Sequence, residues 1–280
     1  MEIHQFTEDE LATAKQVVFT QYVGDPALYQ SEQPVGILLG GQPAAGKTGL
    51  IRQLRRQHRP TRFVVINGDE YRKQHPRARA IDKEYGQKAP EYTQPFSNTL
   101  VEYLKAECLR LRCNFIIEGT MRSYAVIERT AGEVKAAGFR CEAHVLAVHR
   151  QDSLLGVFQR FESDKQRTGV GRFSPIQVHD EAYRQIPVNV AKADAERLFD
   201  RIAVYTRQPD GSLAVGLELG ADAAEAVDVA AEFDRLRQPL FDNTYYHQQW
   251  LALRELAGQR NEPNADYRVQ LDEFVALFGQ

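Results

Sequence analysis

The chain carries almost no excess charge: 35 Lys and Arg against 38 Asp and Glu leave a net −3. That balance supplies no bulk attraction for nucleic acid or for an anionic membrane, so any polyanion site must be local. Cysteine is scarce, and Cys108, Cys113 and Cys141 are an odd number without metal-type spacing. Two of them lie in apolar surroundings, which reads as buried free thiols in a reducing cytoplasm. Long apolar runs are missing: none approaches the ~18–20 residues of a membrane span, and residues 1–10 are polar and acidic. There is no internal repeat, no low-complexity tract and no linker long enough to force a second domain. What remains is a soluble, cytoplasmic protein with 43% hydrophobic and 26% charged residues, as in ordinary globular chains. Its 280 residues allow one large or two small domains.

Against that background one stretch stands out, Gly41-Gln42-Pro43-Ala44-Ala45-Gly46-Lys47-Thr48. It has the pattern of a phosphate-binding loop, Gly, four residues, Gly, Lys, then Ser or Thr. Small residues let consecutive backbone N–H groups close around a phosphate, and a following helix N-terminus adds partial positive charge. In such a loop Lys47 reaches the β- and γ-phosphates of a nucleotide and the Thr48 hydroxyl ligates Mg²⁺. The apolar run 35–39 before the loop and Leu50-Ile51-Arg52-Gln53-Leu54 after it supply the strand and helix that this reading requires.

The rest of the chain alternates in the same way. Thr7-Glu8-Asp9-Glu10 has the form of a capping box and predicts a helix over about 9–19. Strands are predicted at 35–40, 62–66, 115–117 and 141–148, with helices at 47–57, 92–111, 123–137, 150–165 and 175–194. The polar, Pro-marked stretch 72–95 reads as exposed helix and loop rather than core. Residues 202–205 and 213–215, separated by Pro209-Asp210-Gly211, read as a strand pair or hairpin. A helical tail follows, at 223–236, 244–257 and 265–278. The alternation predicts an α/β fold with a parallel sheet covered by helices on both faces. Ligands in such sheets lie beyond the carboxyl ends of the strands, where Asp69 and Glu118 join the phosphate loop.

A carboxylate at that edge accepts the proton of an acceptor hydroxyl as phosphoryl transfer begins, and Mg²⁺ needs oxygen ligands nearby. Asp69 fits the base, or else the N-cap of a helix beginning at Glu70. Glu118 fits a metal ligand, a substrate-holding group or a structural residue. Arg160, Arg167 and Arg172 lie in a polar, Gly-rich region, and a guanidinium there would stabilise a transferring phosphoryl group. Spacing does not choose among the three. His75, His149 and His179 show no pairing that suggests a metal site and read as surface or core residues.

Together with the phosphate loop, Ile66-Asn67-Gly68-Asp69-Glu70-Tyr71-Arg72-Lys73-Gln74-His75-Pro76, Ile116-Ile117-Glu118-Gly119-Thr120, Gln159-Arg160-Phe161-Glu162 and Gly171-Arg172-Phe173-Ser174-Pro175 with His179-Asp180 resemble the zeta toxins. These are the toxin halves of bacterial epsilon/zeta toxin–antitoxin systems, and the motifs fall in family order over about 35–206. The resemblance implies a P-loop kinase-like fold. It also implies transfer of the γ-phosphate of ATP or GTP to the 3′-hydroxyl of the sugar of UDP-N-acetylglucosamine, which starves peptidoglycan synthesis. Carried over by motif, Lys47 binds phosphate, Thr48 serves Mg²⁺ and Asp69 is the base on the sugar hydroxyl. Glu102 matches a sugar-nucleotide contact, Glu118 and Thr120 hold the hexose, and Arg160 and Arg172 are the two triphosphate arginines. The expected partner is a small helical antitoxin in a separate chain.

Two departures from the family pattern are visible. Met121 stands where family members often carry Gly, and nothing in the family pattern matches the tail beyond about 220. The expected organisation is a kinase domain over 1–219 and a helical extension over 220–280 packed on or appended to it. A kinase acting on another small molecule, an antibiotic or a dinucleotide, keeps the same fold, as does a nucleotide-binding switch with little chemistry.

Overall fold

A computed structural model describes residues 2–169, 171, 173–220 and 227–279. The first helix, α1 (Glu8–Tyr22), begins at the anticipated capping box. The Glu10 N–H donates to the Thr7 hydroxyl at 3.2 Å, and the Thr7 N–H donates back to the Glu10 carboxylate at 2.8 Å. The central sheet then forms from β1 (Val35–Gly40), β2 (Val64–Asn67), β3 (Phe115–Glu118), β4 (Arg140–Ala147), β5 (Arg201–Arg207) and β6 (Leu213–Gly220). Their order across the sheet is β2-β3-β1-β4-β5-β6. Every neighbouring pair is parallel except β5 and β6, which make the anticipated hairpin.

Side-chain alternation explains why this sheet needs cover on both faces. Ile37 and Leu39 of β1 point into one cluster with Leu50 and Leu54 of α2 (Lys47–Gln57). Leu38 between them points into the larger cluster on the opposite face. That larger cluster draws on α1, α5 (Ala89–Leu111), α6 (Tyr124–Ala136), α8 (Ile176–Ala195) and α9 (Val229–Leu236). A third cluster lies apart, between α7 (Arg150–Thr168), α10 (Asn243–Gln259) and α11 (Ala265–Phe278). The three cysteines are buried free thiols, as composition suggested.

Three expectations need correction. The stretch 72–95 is not purely peripheral: Ile81, on α4 (Ala78–Tyr85), is fully buried, and Ala89 opens α5 three residues before the apolar periodicity begins. Pro90 sits in the first turn of α5, where a missing N–H costs nothing. Helix α7 runs on through Thr168 before Gly169, at φ 76°, ends it, so Arg167 is helical rather than part of a loop. In the tail, α9 starts at Val229, capped by the Asp228 side chain, and the expected residues 223–226 lie outside the described residues. The other two tail helices fall close to where periodicity put them.

Candidate active site

The phosphate loop leaves the carboxyl end of β1 and enters α2 through Gly46, whose φ of 108° only glycine adopts readily. Ala44 also takes a left-handed conformation, at φ 59°. The Lys47 ammonium folds back over the loop and donates to the carbonyls of Gly41 at 2.9 Å and Gln42 at 3.2 Å. Thr48 is exposed on the first turn of α2, where its hydroxyl is available to a ligand.

The second side chain of the loop is fully buried and holds the loop to the next layer. Gln42 Nε2 donates to the Val148 carbonyl at 2.8 Å and to Ser153 Oγ at 3.1 Å. Ser153 Oγ lies 2.8 Å from His179 Nε2, and His179 Nδ1 lies 3.0 Å from an Asp180 oxygen. The carboxylate acceptor assigns the ring proton to Nδ1, leaving Nε2 to accept from Ser153. Burial lowers the His179 pKa, which favours this neutral form. Arg150 closes the chain with two bonds to Asp180, at 2.8 and 2.7 Å. His179 is thus a core residue with a full set of partners.

Because β1, β2 and β3 are parallel neighbours, their carboxyl ends deliver the acidic residues to one edge. The register pairs Asn67 with Glu118, and Asn67 Nδ2 donates to the Glu118 carboxylate at 3.0 Å. Burial is the main force raising the Glu118 pKa, and the charges of Asp69 and Glu70 add to it, while Lys47 and Arg160 oppose it. These opposing charges bring Lys47, Asp69, Glu118 and Arg160 into one electrostatic neighbourhood. Asp69 lies in the short helix α3 (Gly68–Tyr71), whose N-cap is Asn67 rather than Asp69. Its carboxylate is half exposed and accepts from Arg72 at 3.2 Å. The Arg72 guanidinium is itself anchored on α5 through the Pro90 carbonyl and Gln94. The carboxylate is therefore supported by Arg72 and half exposed at the edge of the sheet.

The other sequence candidates are placed as follows. Arg160 is on the exposed face of α7 and donates to Ser174 Oγ at 3.3 Å. Arg172 lies outside the described residues. Arg167 pairs with Asp164 one turn earlier, at 3.0 Å. Thr120 follows β3, in a loop tied to β1 by the bond from the Gly119 N–H to the Leu39 carbonyl. Glu102 is set differently: on α5 it pairs with Lys105 at 2.5 Å and with Arg129 of α6 at 3.0 Å. Sequence reasoning missed Arg207, at the end of β5, which donates to the Ala44 carbonyl at 2.9 Å and presses on the phosphate loop. The rule that sites gather at carboxyl ends of parallel strands would have found it. Asn67 and Arg72, the supports of the two carboxylates, were likewise passed over inside a recognised motif.

A family model for "Zeta toxin" matches residues 21–214. The chain belongs to the zeta toxin family. Among relatives of this zeta toxin chain, Toxin PezT of Streptococcus pneumoniae is 34% identical over 178 residues, covering 63% of this chain and 70% of PezT. Toxin zeta of Enterococcus hirae is 33% identical over 180 residues, so the match takes in 63% of this chain and 62% of that toxin. A solved chain from the PezAT chromosomal toxin–antitoxin system of Streptococcus pneumoniae superposes with a TM-score of 0.75 at 26% identity. That superposition covers 92% of this chain and 98% of the other. The AvrRxo1-ORF1:-ORF2 complex with ATP shares the fold alone, at a TM-score of 0.54 and 14% identity, over 99% of this chain and 84% of that one.

The departure at Met121 has a physical reading in this zeta toxin. Met121 takes φ 56°, a left-handed conformation that glycine adopts more readily than a residue with a side chain. Its carbonyl accepts from Asn189 Nδ2 at 2.9 Å, and its side chain fills the space beside Gly40, where a Cβ would come within 2.4 Å of Met121 Sδ. Methionine here packs the loop after β3 directly against the start of the phosphate loop. The tail, beyond the family match, clasps α7. The Glu162 carboxylate is buried and accepts from Tyr267 Oη at 2.6 Å and from Arg260 Nη2 at 3.1 Å. Around that pair Phe158 and Phe161 of α7 pack against Trp250, Tyr267 and Phe274 of the tail.

Proposed function

We propose that this chain is a toxin kinase that transfers the γ-phosphate of ATP or GTP to the 3′-hydroxyl of the sugar of UDP-N-acetylglucosamine or a related UDP-sugar in the cytoplasm. The observation that carries the reading is the shared edge of the sheet, where a half-exposed, Arg72-supported Asp69 carboxylate and a half-buried Glu118 lie beside a phosphate loop with its lysine. The phosphates would lie on the loop, with Lys47 leaving its two carbonyls for their oxygens. Asp69 takes the proton of the acceptor hydroxyl as the new O–P bond forms, and the bond between the γ-phosphorus and the bridging oxygen breaks to release the diphosphate. Glu118, Thr120 and Glu102 are the proposed sugar-side contacts; for Glu102 this requires exchange of its Lys105 and Arg129 partners. Arg160 and Arg172 spread over the charge of the transferring group. Exposed Thr48 suits Mg²⁺, which prefers few protein ligands alongside phosphate oxygens and water, and the ion would neutralise charge on the phosphates.

On this reading residues 1–219 carry the chemistry and 220–280 brace it, and a small helical antitoxin in a separate chain restrains it. Similarity to a chain of the PezAT toxin–antitoxin system supports the partner. The test is incubation of the purified protein with ATP, Mg²⁺ and a panel of UDP-sugars, antibiotics and dinucleotides, read by mass spectrometry. We expect phosphorylated UDP-N-acetylglucosamine, with Asp69→Asn reducing turnover about 10²–10⁴-fold while ATP binding persists. Turnover unchanged in Asp69→Asn would remove Asp69 as the base. Product only from a different acceptor would replace the substrate assignment.

A further inference from the structure

Of the recognised motifs, the His179-Asp180 pair takes no part in the chemistry proposed above, yet it is tied to the phosphate loop. Gln42, Ser153 and His179 are wholly buried and lie in line, with 3.1 Å between Gln42 Nε2 and Ser153 Oγ and 2.8 Å between Ser153 Oγ and His179 Nε2. The line starts at the half-buried Arg150 guanidinium, which grips Asp180 with two bonds, and ends in the loop. It joins three parts that are distant in sequence: the loop, the first turn of α7 and the start of α8.

Its donors and acceptors give the line a direction. Partial burial works against ionisation of Asp180, but the bonds from Arg150 and His179 outweigh it and lower the pKa, so this carboxylate only accepts. It takes the Nδ1 proton and leaves His179 Nε2 as an acceptor. The single Ser153 hydroxyl proton has three acceptors within reach, His179 Nε2 at 2.8 Å and the carbonyls of His149 and Arg150 at 3.1 Å each. The two carbonyls are the ordinary back-bonds of a serine inside a helix. Donation to Nε2, the shortest contact, leaves an oxygen lone pair for the Gln42 amide. Without that ring nitrogen the hydroxyl turns to a carbonyl of its own helix, and its lone pairs turn with it.

Gln42 serves here through its donors. Nε2 gives its other proton to the Val148 carbonyl just past β4, at 2.8 Å, while Oε1 is buried with no partner among the described residues. An unpaired buried acceptor is a cost that an apolar side chain of the same length would avoid. The carbonyl of the same residue receives the Lys47 ammonium at 3.2 Å. A second clamp lies two residues on, where Arg207 donates to the Ala44 carbonyl. Arg207, however, borders a cavity of about 170 Å³ beside α7, open at one face and walled by Phe241 and Tyr245 of the tail. The clamp at Gln42 is the one that water does not weaken.

Resting on the nucleotide reading above, we propose that His179 and Ser153 are positioning residues of the phosphate loop, which hold the Gln42 side chain so that the loop is already in place when the triphosphate arrives. Such preorganisation removes an ordering cost from binding. It acts on the phosphates and on nothing else in the donor.

The test measures binding of ATP and of inorganic triphosphate, each with Mg²⁺, by titration calorimetry on the full chain. The variants are Ser153→Ala, which removes the acceptor of the Gln42 amide, His179→Leu, which removes the ring nitrogens, and His179→Gln, whose amide keeps an acceptor in reach of Ser153. Each is also melted. We expect Ser153→Ala and His179→Leu to weaken both ligands alike, about tenfold, the effect of one buried hydrogen bond. His179→Gln should return to within about threefold of wild type. Wild-type affinity in Ser153→Ala and His179→Leu, even with a lowered melting temperature, assigns the line to stability alone and overturns the proposal while the nucleotide reading stands. Loss of ATP affinity without loss of triphosphate affinity overturns it too, as does His179→Gln binding as weakly as His179→Leu. Should the His179 variants misfold, Ser153→Ala, the loss of one oxygen, decides. Wild-type protein that binds neither ligand overturns both readings.

Discussion

The β2–β3 side of the sheet edge and its tail side are held together by different forces. On the β2–β3 side the contacts are polar and partly exposed: Asn67 on Glu118, Arg72 on Asp69, Lys47 on two loop carbonyls. Several join residues only a few positions apart, and a substrate can replace them. On the tail side Glu162 is buried where α7 meets the tail, with its partners Tyr267 and Arg260 about a hundred residues away in sequence. Charged groups that must meet a substrate contribute little to stability, whereas desolvated ones that no longer meet water must be fully paired. The first region is therefore built for reaction and the second for rigidity.

The sharpest way to test that contrast is Lys47→Ala. We expect turnover to fall about a thousandfold, as when one preorganised charge on a transition state is lost, with stability within about 0.5 kcal/mol of wild type. Expression of this variant in growing bacteria should be tolerated where wild type arrests growth; equal toxicity would separate the arrest from phosphoryl transfer. The mirror experiment is Trp250→Ala, which empties the tail core and should cost about 3–5 kcal/mol in urea unfolding. If it instead lowers turnover at full stability, the contrast fails. Tyr267→Phe should cost less, about 1.5–3 kcal/mol, because it removes a single donor from a buried carboxylate that Arg260 still holds.

The smallest effect sharpens the comparison from the β2–β3 side. Burial raises the Glu118 pKa in the folded chain, so the native state holds this proton more tightly than the unfolded one. Stability is then lost as pH rises from the ordinary carboxylate range through the raised value, and the ionised group is a net cost at neutral pH. Glu118→Gln should melt at a higher temperature than wild type at pH 7 and show no such gain in acid below the unfolded pKa. It should also lose activity, since the cost is carried for the sake of the site. An unchanged or lower melting temperature at pH 7 would show that Asn67 and Lys47 fully compensate the buried charge.

Much of the site was legible because its signals are local. The phosphate loop needs small residues and a Lys-Thr pair in consecutive positions, and the strand and helix around it carry their own periodicity. The family motifs named Asp69, Glu118 and Arg160, and the structure places Asp69, Arg160 and Lys47 where their charges act on Glu118. Helix α7 was cut short because Gly169, not the polar run before it, ends the helix. The start of α5 was missed because Ala89 and Pro90 carry no apolar repeat. Arg207 belongs to no short motif and only its place at the carboxyl end of β5 marks it, while nothing near Phe241 in sequence marks that residue.

By itself, then, the sequence determined the alternation of strands and helices, the phosphate loop, the carboxylates at strand ends and the helical nature of the tail. Each follows from steric and hydrogen-bonding rules that act within a few residues. Only the tertiary structure decided that Glu162 would pair with Arg260, that Arg207 would reach Ala44 and that the tail would wall the cavity beside α7. Those contacts depend on which buried faces meet, and burial is non-directional: many surfaces satisfy it equally until the whole chain packs and one arrangement also gives a desolvated charge such as Glu162 its partners.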